Sequence, residues 1–395
     1  MRVLLTNGAL VNRAGSELYL LEVATRLLAL GHSPVAYSPR LGPLAAELRA
    51  ATIPVVDDLA AVAEPPDVIH GQHHLPAMTA LLHFPGAPAL FVSHGWAPWE
   101  EAPPRFPRIL RYVAVDYTTR ERLVSEAGIP PERVEVVLNF VDLVRFQPRS
   151  PLPPAPRRAL VFSNQASEET YLPAVREACS RLGVELDVAG VAAGRPEARP
   201  EALLPGYDLI FAKGRSALEA MAVGAAVVLC DQSGSGPLVT AEGFDRLRPL
   251  NFGIRTLREP VTPDVLAREI RRYDPADAAE VSRRVRAEAG LEGPVDRLAV
   301  LYEEVIAEHR ERGPAPAAGE SRAAAAYLQW LEPYLQERSR LAAERDGLTV
   351  ERDGLTAQSE ALRRNLAALQ GTATWRLRER LVRSPLLRLY RALRR

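Results

Sequence analysis

The chain has 395 residues, of which 47% are apolar and 25% charged, with 49 basic and 49 acidic side chains. That length suggests two or three domains with ample core, and the composition excludes a disordered or fibrous chain. Zero net charge removes any global pull toward nucleic acid, and two cysteines cannot build a disulfide framework, which fits a reducing compartment.

Short apolar runs alternate with longer helical patterns, the mark of α/β domains with parallel sheets. The first strand is expected at 3–5. Gly15 and Ser16 then precede an amphipathic helix over 17–30, closed by Gly31. Further strands are expected at 33–37, 67–70, 89–93, 112–115 and 134–138. The stretch PRSPLPPAP at 148–156 forbids a continuing helix and reads as a linker. A second series follows, with strands at 159–162, 185–189, 208–211 and 226–229 and helices at 171–182, 216–223 and 263–273. A helix over 294–312 closes it. The expected organisation is a Rossmann-like domain at 1–148, a linker at 149–157, and a second Rossmann-like domain with its closing helix at 158–312.

Beyond a second Pro/Ala linker at 313–321 the composition changes. ERDGLT occurs at 344–349 and again at 351–356. Leu341, Leu348, Leu355, Leu362 and Leu369 hold one heptad position, while its partner holds Arg345, Arg352, Ser359 and Leu366. A helical segment over 322–370 with a half-apolar, weak coiled-coil seam follows. Gly347 and Gly354 weaken it by ~1 kcal/mol each. Two readings stay open, self-association through 341–369 and a lone solvated helix.

The tail, 371–395, carries eight Arg and one Glu from Arg376 onward, interleaved with Trp375, Leu377, Leu381 and Tyr390. A basic amphipathic helix, restarted by Ser384 and Pro385, suits an anionic membrane surface. No run approaches the ~20 apolar residues of a membrane span, and no secretory segment is visible. The expected location is cytoplasmic, peripheral at the inner face of the cell membrane.

Two Rossmann-like halves create a cleft at the carboxyl ends of their strands, so the loops there are the places for chemistry. Gly15 and Ser16 follow the first strand at a helix N-terminus, which attracts phosphate. The dinucleotide fingerprint is absent. The segment AKGRSALEAMAVG, 212–224, opens another helix. Lys213, the single lysine of the chain, and Arg215 place two cations there beside Gly214 and Ser216. The spacing of Ser216 and Glu219 also fits a capping box with Ser216 as N-cap. His94, and His70 before it, end strands and face the cleft. The run of His70, His73 and His74 lacks Cys or carboxylates at ligand spacing, so no metal is expected. Ser233 to Gly236 reads as a glycine-rich loop, either reaching a ligand or simply mobile.

These residues form a recognisable pattern. GSELYLLEVATRLLALGH (15–32), SHG (93–95), VEVVLNFVDLVRFQP (134–148) and SALEAMAVGAAVVLCD (216–231) resemble retaining glycosyltransferases of the family-4 type, which have the two-domain GT-B fold. The tail is similar to coiled-coil endings of some bacterial surface-polysaccharide transferases. The resemblance implies transfer of a sugar from a nucleotide-sugar donor to a glycan or lipid-linked acceptor, with retention and without metal. It implies that Glu219 binds the donor ribose, that Gly15 and Ser16 meet the donor phosphates, and that His94 approaches the transferred sugar. Two positions depart from it. Phe211 stands where the family has a first glutamate, and Asn164 and Glu169 stand where it has an Arg and a Lys. Lys213 and Arg215, with Arg195, are the expected substitutes. Those departures keep two other readings open: a degenerate scaffold or assembly subunit, and an epimerase of the same fold with Glu17, Glu168 or Glu169 as its acid and base.

Overall fold

The computed structural model describes residues 1–96, 98–313 and 316–383. The chain divides after Ala323 into two units, the second of which is helical over its described residues, 324–383.

The first unit holds two sheets. In the first, β1 (Arg2–Thr6), β2 (Ser33–Tyr37), β3 (Val55–Val56), β4 (Val68–Gln72), β5 (Ala89–Ser93), β6 (Ile109–Ala114) and β7 (Val134–Val136) run in the order β3-β2-β1-β4-β5-β6-β7. All are parallel. In the second, β8 (Arg158–Phe162), β9 (Glu185–Ala189), β10 (Leu209–Ala212), β11 (Ala226–Asp231) and β12 (Gly234–Leu238) run in the order β12-β11-β10-β8-β9. Only β12 is antiparallel. The order reverses beside β1 and beside β8, which are the positions where open α/β sheets place ligands.

The helices are α1 (Gly15–Ala29), α2 (Pro43–Ala50), α3 (His74–His83), α4 (Tyr117–Glu121), α5 (Leu172–Arg181), α6 (Pro200–Leu203), α7 (Gly214–Ala222), α8 (Ala241–Leu247), α9 (Pro263–Ile270), α10 (Pro275–Glu288), α11 (Glu292–Arg312), α12 (Ala317–Gln370) and α13 (Ala373–Arg383). α11 follows the second sheet but packs on the first. Its Val295, Leu298, Leu301, Tyr302 and Val305 are buried in one core with Val3, Leu5, Leu20 and Val92. The second sheet is covered on both faces. Leu218, Met221 and Val285 pack on one, and Val175, Leu266 and Ile270 on the other.

The Pro-rich connection between the sheets is stapled. Asp208 pairs with Arg149 at 2.9 Å and accepts the N–H groups of Arg157 and Arg158. Burial pushes the Asp208 carboxyl up, but those donors outweigh it and hold it below the usual range.

Three local expectations change. Ser233 to Gly236 is not a loop: Gly234–Leu238 forms the edge strand β12, paired to β11. Ser235 is also bridged to Glu259. Gly236 leaves no room for a side chain, since a Cβ there would lie 2.7 Å from Thr256 O. Ser216 is not an N-cap: α7 starts two residues earlier, at Gly214, with Lys213 in the cap position and no side-chain cap. α12 begins at Ala317, inside the segment read as linker, and runs unbroken through Gly347 and Gly354. Ser384 and Pro385 lie outside the described residues.

Candidate functional site

A cavity of about 150 Å³ lies where the two sheets' carboxyl ends meet. The first domain supplies Arg13, Gly15 and Leu18, and the second supplies Asn164, Gly190, Arg215 and Glu219, among others. Gly15 opens α1, whose N-terminus no side chain caps. A Cβ on Gly15 would meet nothing within 4 Å, so the space in front of that helix end is open. Gly190 has the opposite reason for being glycine. With φ at +157° its backbone approaches the end of β8 so closely that a Cβ would lie 1.9 Å from Ser163 O. That contact shapes the second domain's wall. Asn164 Oδ1 steadies it by accepting from Val191 N at 3.3 Å.

A charged cluster crosses the cleft. Arg215, on α7, donates from Nε to Glu219 Oε1 at 2.8 Å and pairs through Nη2 with Glu22 on α1. All three side chains are largely buried. Burial pushes the Glu22 carboxyl above the usual carboxylate range, partly offset by the adjacent guanidinium. One oxygen of Glu22, Oε2, is buried with no hydrogen-bond partner. Burial alone would lower the Arg215 pKa, but the Glu22 and Glu219 charges raise it, so Arg215 stays a cation.

His94 ends β5 beside this cluster. Its N–H donates to Glu101 Oε2 at 2.7 Å, and its Nε2 lies 2.8 Å from Gln72 Oε1. The Tyr19 ring packs edge-on at 4.6 Å. Burial drives the His94 pKa down to about 4, opposed by the Glu101 charge and assisted by His73 and Arg215. Gln72 also touches His70, whose Nδ1 lies 2.7 Å from Tyr302 Oη on α11. His73 has φ at +58°, a strained value for a histidine, and its Nδ1 accepts from Gly8 N.

Gly15, Asn164, Arg215, Ser216 and Glu219 thus converge on one cavity, as their positions in the sequence lead one to expect. The other candidates lie elsewhere. Ser16 donates to the Glu17 carboxylate at 3.0 Å. Lys213 is paired with buried Asp231 at the end of β11. Gly214, with φ at +57°, gives its N–H to Phe252 O. Phe211 is wholly buried in the second domain's core, so an acid at that position could not reach the cleft. Glu168, Glu169 and Arg195 line a separate hollow with Arg176 and Asp187. They neither clamp nor repel a ligand in the cavity, and they offer it no acid and base pair. Arg13, Glu22, Gln72, Glu101 and Gly190 were not legible as site residues. Only Glu22 sat inside a motif quoted for the resemblance.

Two Rossmann-type sheets facing across a cleft, with α11 returning to the first domain, define the GT-B fold. Residues 13–145 match the family model Glycosyltransferase Family 4. Among solved structures, a glycosyltransferase from Rickettsia africae is 17% identical with a TM-score of 0.58, covering 77% of this chain and 98% of its own. Anabaena HepE in complex with UDP and glucose is 14% identical with a TM-score of 0.53, covering 76% and 99%. Sucrose-phosphate synthase from Thermosynechococcus elongatus is 16% identical with a TM-score of 0.52, covering 78% and 99%. No curated protein sequence matches. The first domain is thus similar to Glycosyltransferase Family 4, and the α/β unit shares the GT-B fold of these structures.

Proposed function

We propose that this protein moves a sugar from a nucleotide-sugar donor to a glycan or lipid-linked acceptor, with retention and without a metal, in the building of a cell-surface polysaccharide. The observation that carries the reading is the cavity shared by both domains, with an uncapped helix end on one wall and Arg215 and Glu219 on the other. The main catalytic demand of such a transfer is to neutralise the departing diphosphate. Arg215 is the cation suited to it. As the diphosphate approaches, Arg215 exchanges its Glu219 partner for a phosphate oxygen. Glu219 is then released to accept the donor's ribose hydroxyls. His94, held uncharged by burial, presents a neutral imidazole to the sugar. Anabaena HepE binds UDP and glucose, which makes uridine diphosphate sugars the first donors to try.

The cavity also supports a second reading. Its 150 Å³ falls short of the roughly 300–1,000 Å³ of ordinary ligand sites. A transferase must widen the cleft; a scaffold subunit need not.

A thermal-shift panel of UDP, GDP, ADP, CMP and dTDP with their sugars separates the two, because a ligand of the native state raises the midpoint by mass action. A shift with one nucleotide, lost in Glu219→Ala, is expected. No shift at millimolar ligand favours the scaffold.

Among the described residues no helix is long and apolar enough to cross a membrane. α13 carries Trp375, Leu377 and Leu381 among Arg376, Arg378 and Arg380. We assign it, with the residues after it, to docking on the anionic inner face of the cell membrane, where a lipid-linked acceptor would be met.

A further inference from the structure

α12 is one continuous helix of 54 residues. Between Leu341 and Leu369 its leucine side chains lie in a stripe 49–62% exposed. A lone helix gains little from such a stripe, since helices in water draw their stability from packing an apolar face. Leu341, Leu348, Leu355, Leu362 and Leu369 recur every seven residues. With these leucines at position d, position a holds Arg338, Arg345, Arg352, Ser359 and Leu366, and position g holds Glu337, Glu344 and Glu351.

Two features mark this face as a seam. The residues hostile to a helix, Pro333, Gly347 and Gly354, all fall at position c, which points away from it. The charges are the second feature. Each a-position Arg directly follows a g-position Glu. In a parallel pair, position a of one helix lies beside position g of the other, so every such Arg meets a Glu. In an antiparallel pair g faces g, and Glu would meet Glu. Glu337 is already engaged by Arg340 of its own chain at 2.6 Å. Glu344 also lies within ion-pair distance of Arg340, at 3.9 Å. The step Glu351–Arg352 therefore carries the argument furthest, and Glu344–Arg345 supports it. Within one chain, among the described residues, Arg345 and Arg352 pair only with the adjacent Asp346 and Asp353, on exposed surface.

We infer that residues 338–369 form a parallel, in-register, two-stranded coiled coil with a second copy of this chain. The arginine stems cover the leucines while their guanidinium groups reach the partner's glutamates at the rim. Two strands suit this better than three, because arginine at position a stays near solvent only in a dimer.

The test uses the full-length chain. Sedimentation velocity is expected to give twice the 43.3 kDa chain mass. A monomer at tens of micromolar, or a trimer, overturns the proposal. Leu348→Glu with Leu355→Glu is expected to return the mass to one chain while leaving the thermal midpoint of the α/β unit in place. Ser359→Cys, at position a, reads orientation. Oxidation should link it rapidly to its counterpart, and the native Cys179 and Cys230 are buried and do not compete. A dimer that fails to cross-link overturns the parallel register. Glu344→Gln with Glu351→Gln, which removes the Arg–Glu pairs of the parallel form and the Glu–Glu repulsion of the antiparallel one, is expected to weaken the dimer about tenfold; tighter association would mean the antiparallel arrangement instead. The proposal is independent of donor binding.

Discussion

Arg215 holds one carboxylate from each domain, and among the described residues neither Glu22 nor Glu219 pairs with another cation. Taking one partner from a buried pair costs roughly 3–5 kcal/mol, because the charge left behind is uncompensated. Arg215→Ala is therefore expected to lower stability by that order in urea titration. Adding Glu22→Gln and Glu219→Gln should restore most of the loss, since no buried charge then remains. Full stability in Arg215→Ala alone would show that the cluster is hydrated and weak.

The buried histidines set a pH dependence. Burial lowers His70 to about 3, and His74 and His94 to about 4, from an ordinary 6.5. Between those values the unfolded chain binds protons that the folded chain refuses. Stability is therefore complete above about 6.5 and is lost as pH falls toward 4, by at most about 1.4 kcal/mol per pH unit for each histidine. Thermal midpoints at pH 7.5, 6 and 5 should fall in that order. A midpoint that is flat across the range would mean that these rings stay solvated.

Among the elements, the entry of α12 is fixed by Arg108. This side chain is 2% exposed. It donates to the carbonyls of Phe84 and Ala87, at 2.9 and 2.5 Å, and to that of Leu81, closing the end of α3. Its Nε meets Glu320, in the first turn of α12, at 2.6 Å. A cation at a helix C-terminus is favoured by the helix dipole, and here it also anchors the next element. Arg108→Met should strand Glu320 and at least three carbonyls. Hydrogen exchange should then rise sharply over 317–323 and at the end of α3, while β8–β11 keep their protection. Equal exchange in both segments would show that Arg108 anchors nothing.

The whole molecule combines an α/β unit with a helical extension whose last part is strongly basic. The membrane role proposed for the tail is separable from the fold of the α/β unit. Deleting 375–395 is expected to abolish sedimentation with vesicles containing anionic lipid while leaving the α/β unit's melting transition unchanged. A truncated chain that still binds those vesicles would move the membrane contact off the tail. Raised salt should release the intact chain, because surface attraction to headgroups is screened within a Debye length.

Much of this was legible in the chain order. Strand and helix patterning gave two Rossmann-like sheets, and β2, β5 and β9 fall where their apolar runs predict. β12 was missed because GSGPL has no strand signature; pairing to β11 and Glu259 makes it one. Gly15, Asn164, Arg215, Ser216 and Glu219 could be named in advance because loops after parallel strands face the cleft whatever their partners are. Which cation serves the cavity could not. Lys213 and Arg215 are two residues apart, and only tertiary packing gives one to Asp231 and sends the other across the cleft to Glu22. Pairing between residues distant in the chain is an outcome of how the two sheets face each other, and no local spacing encodes it.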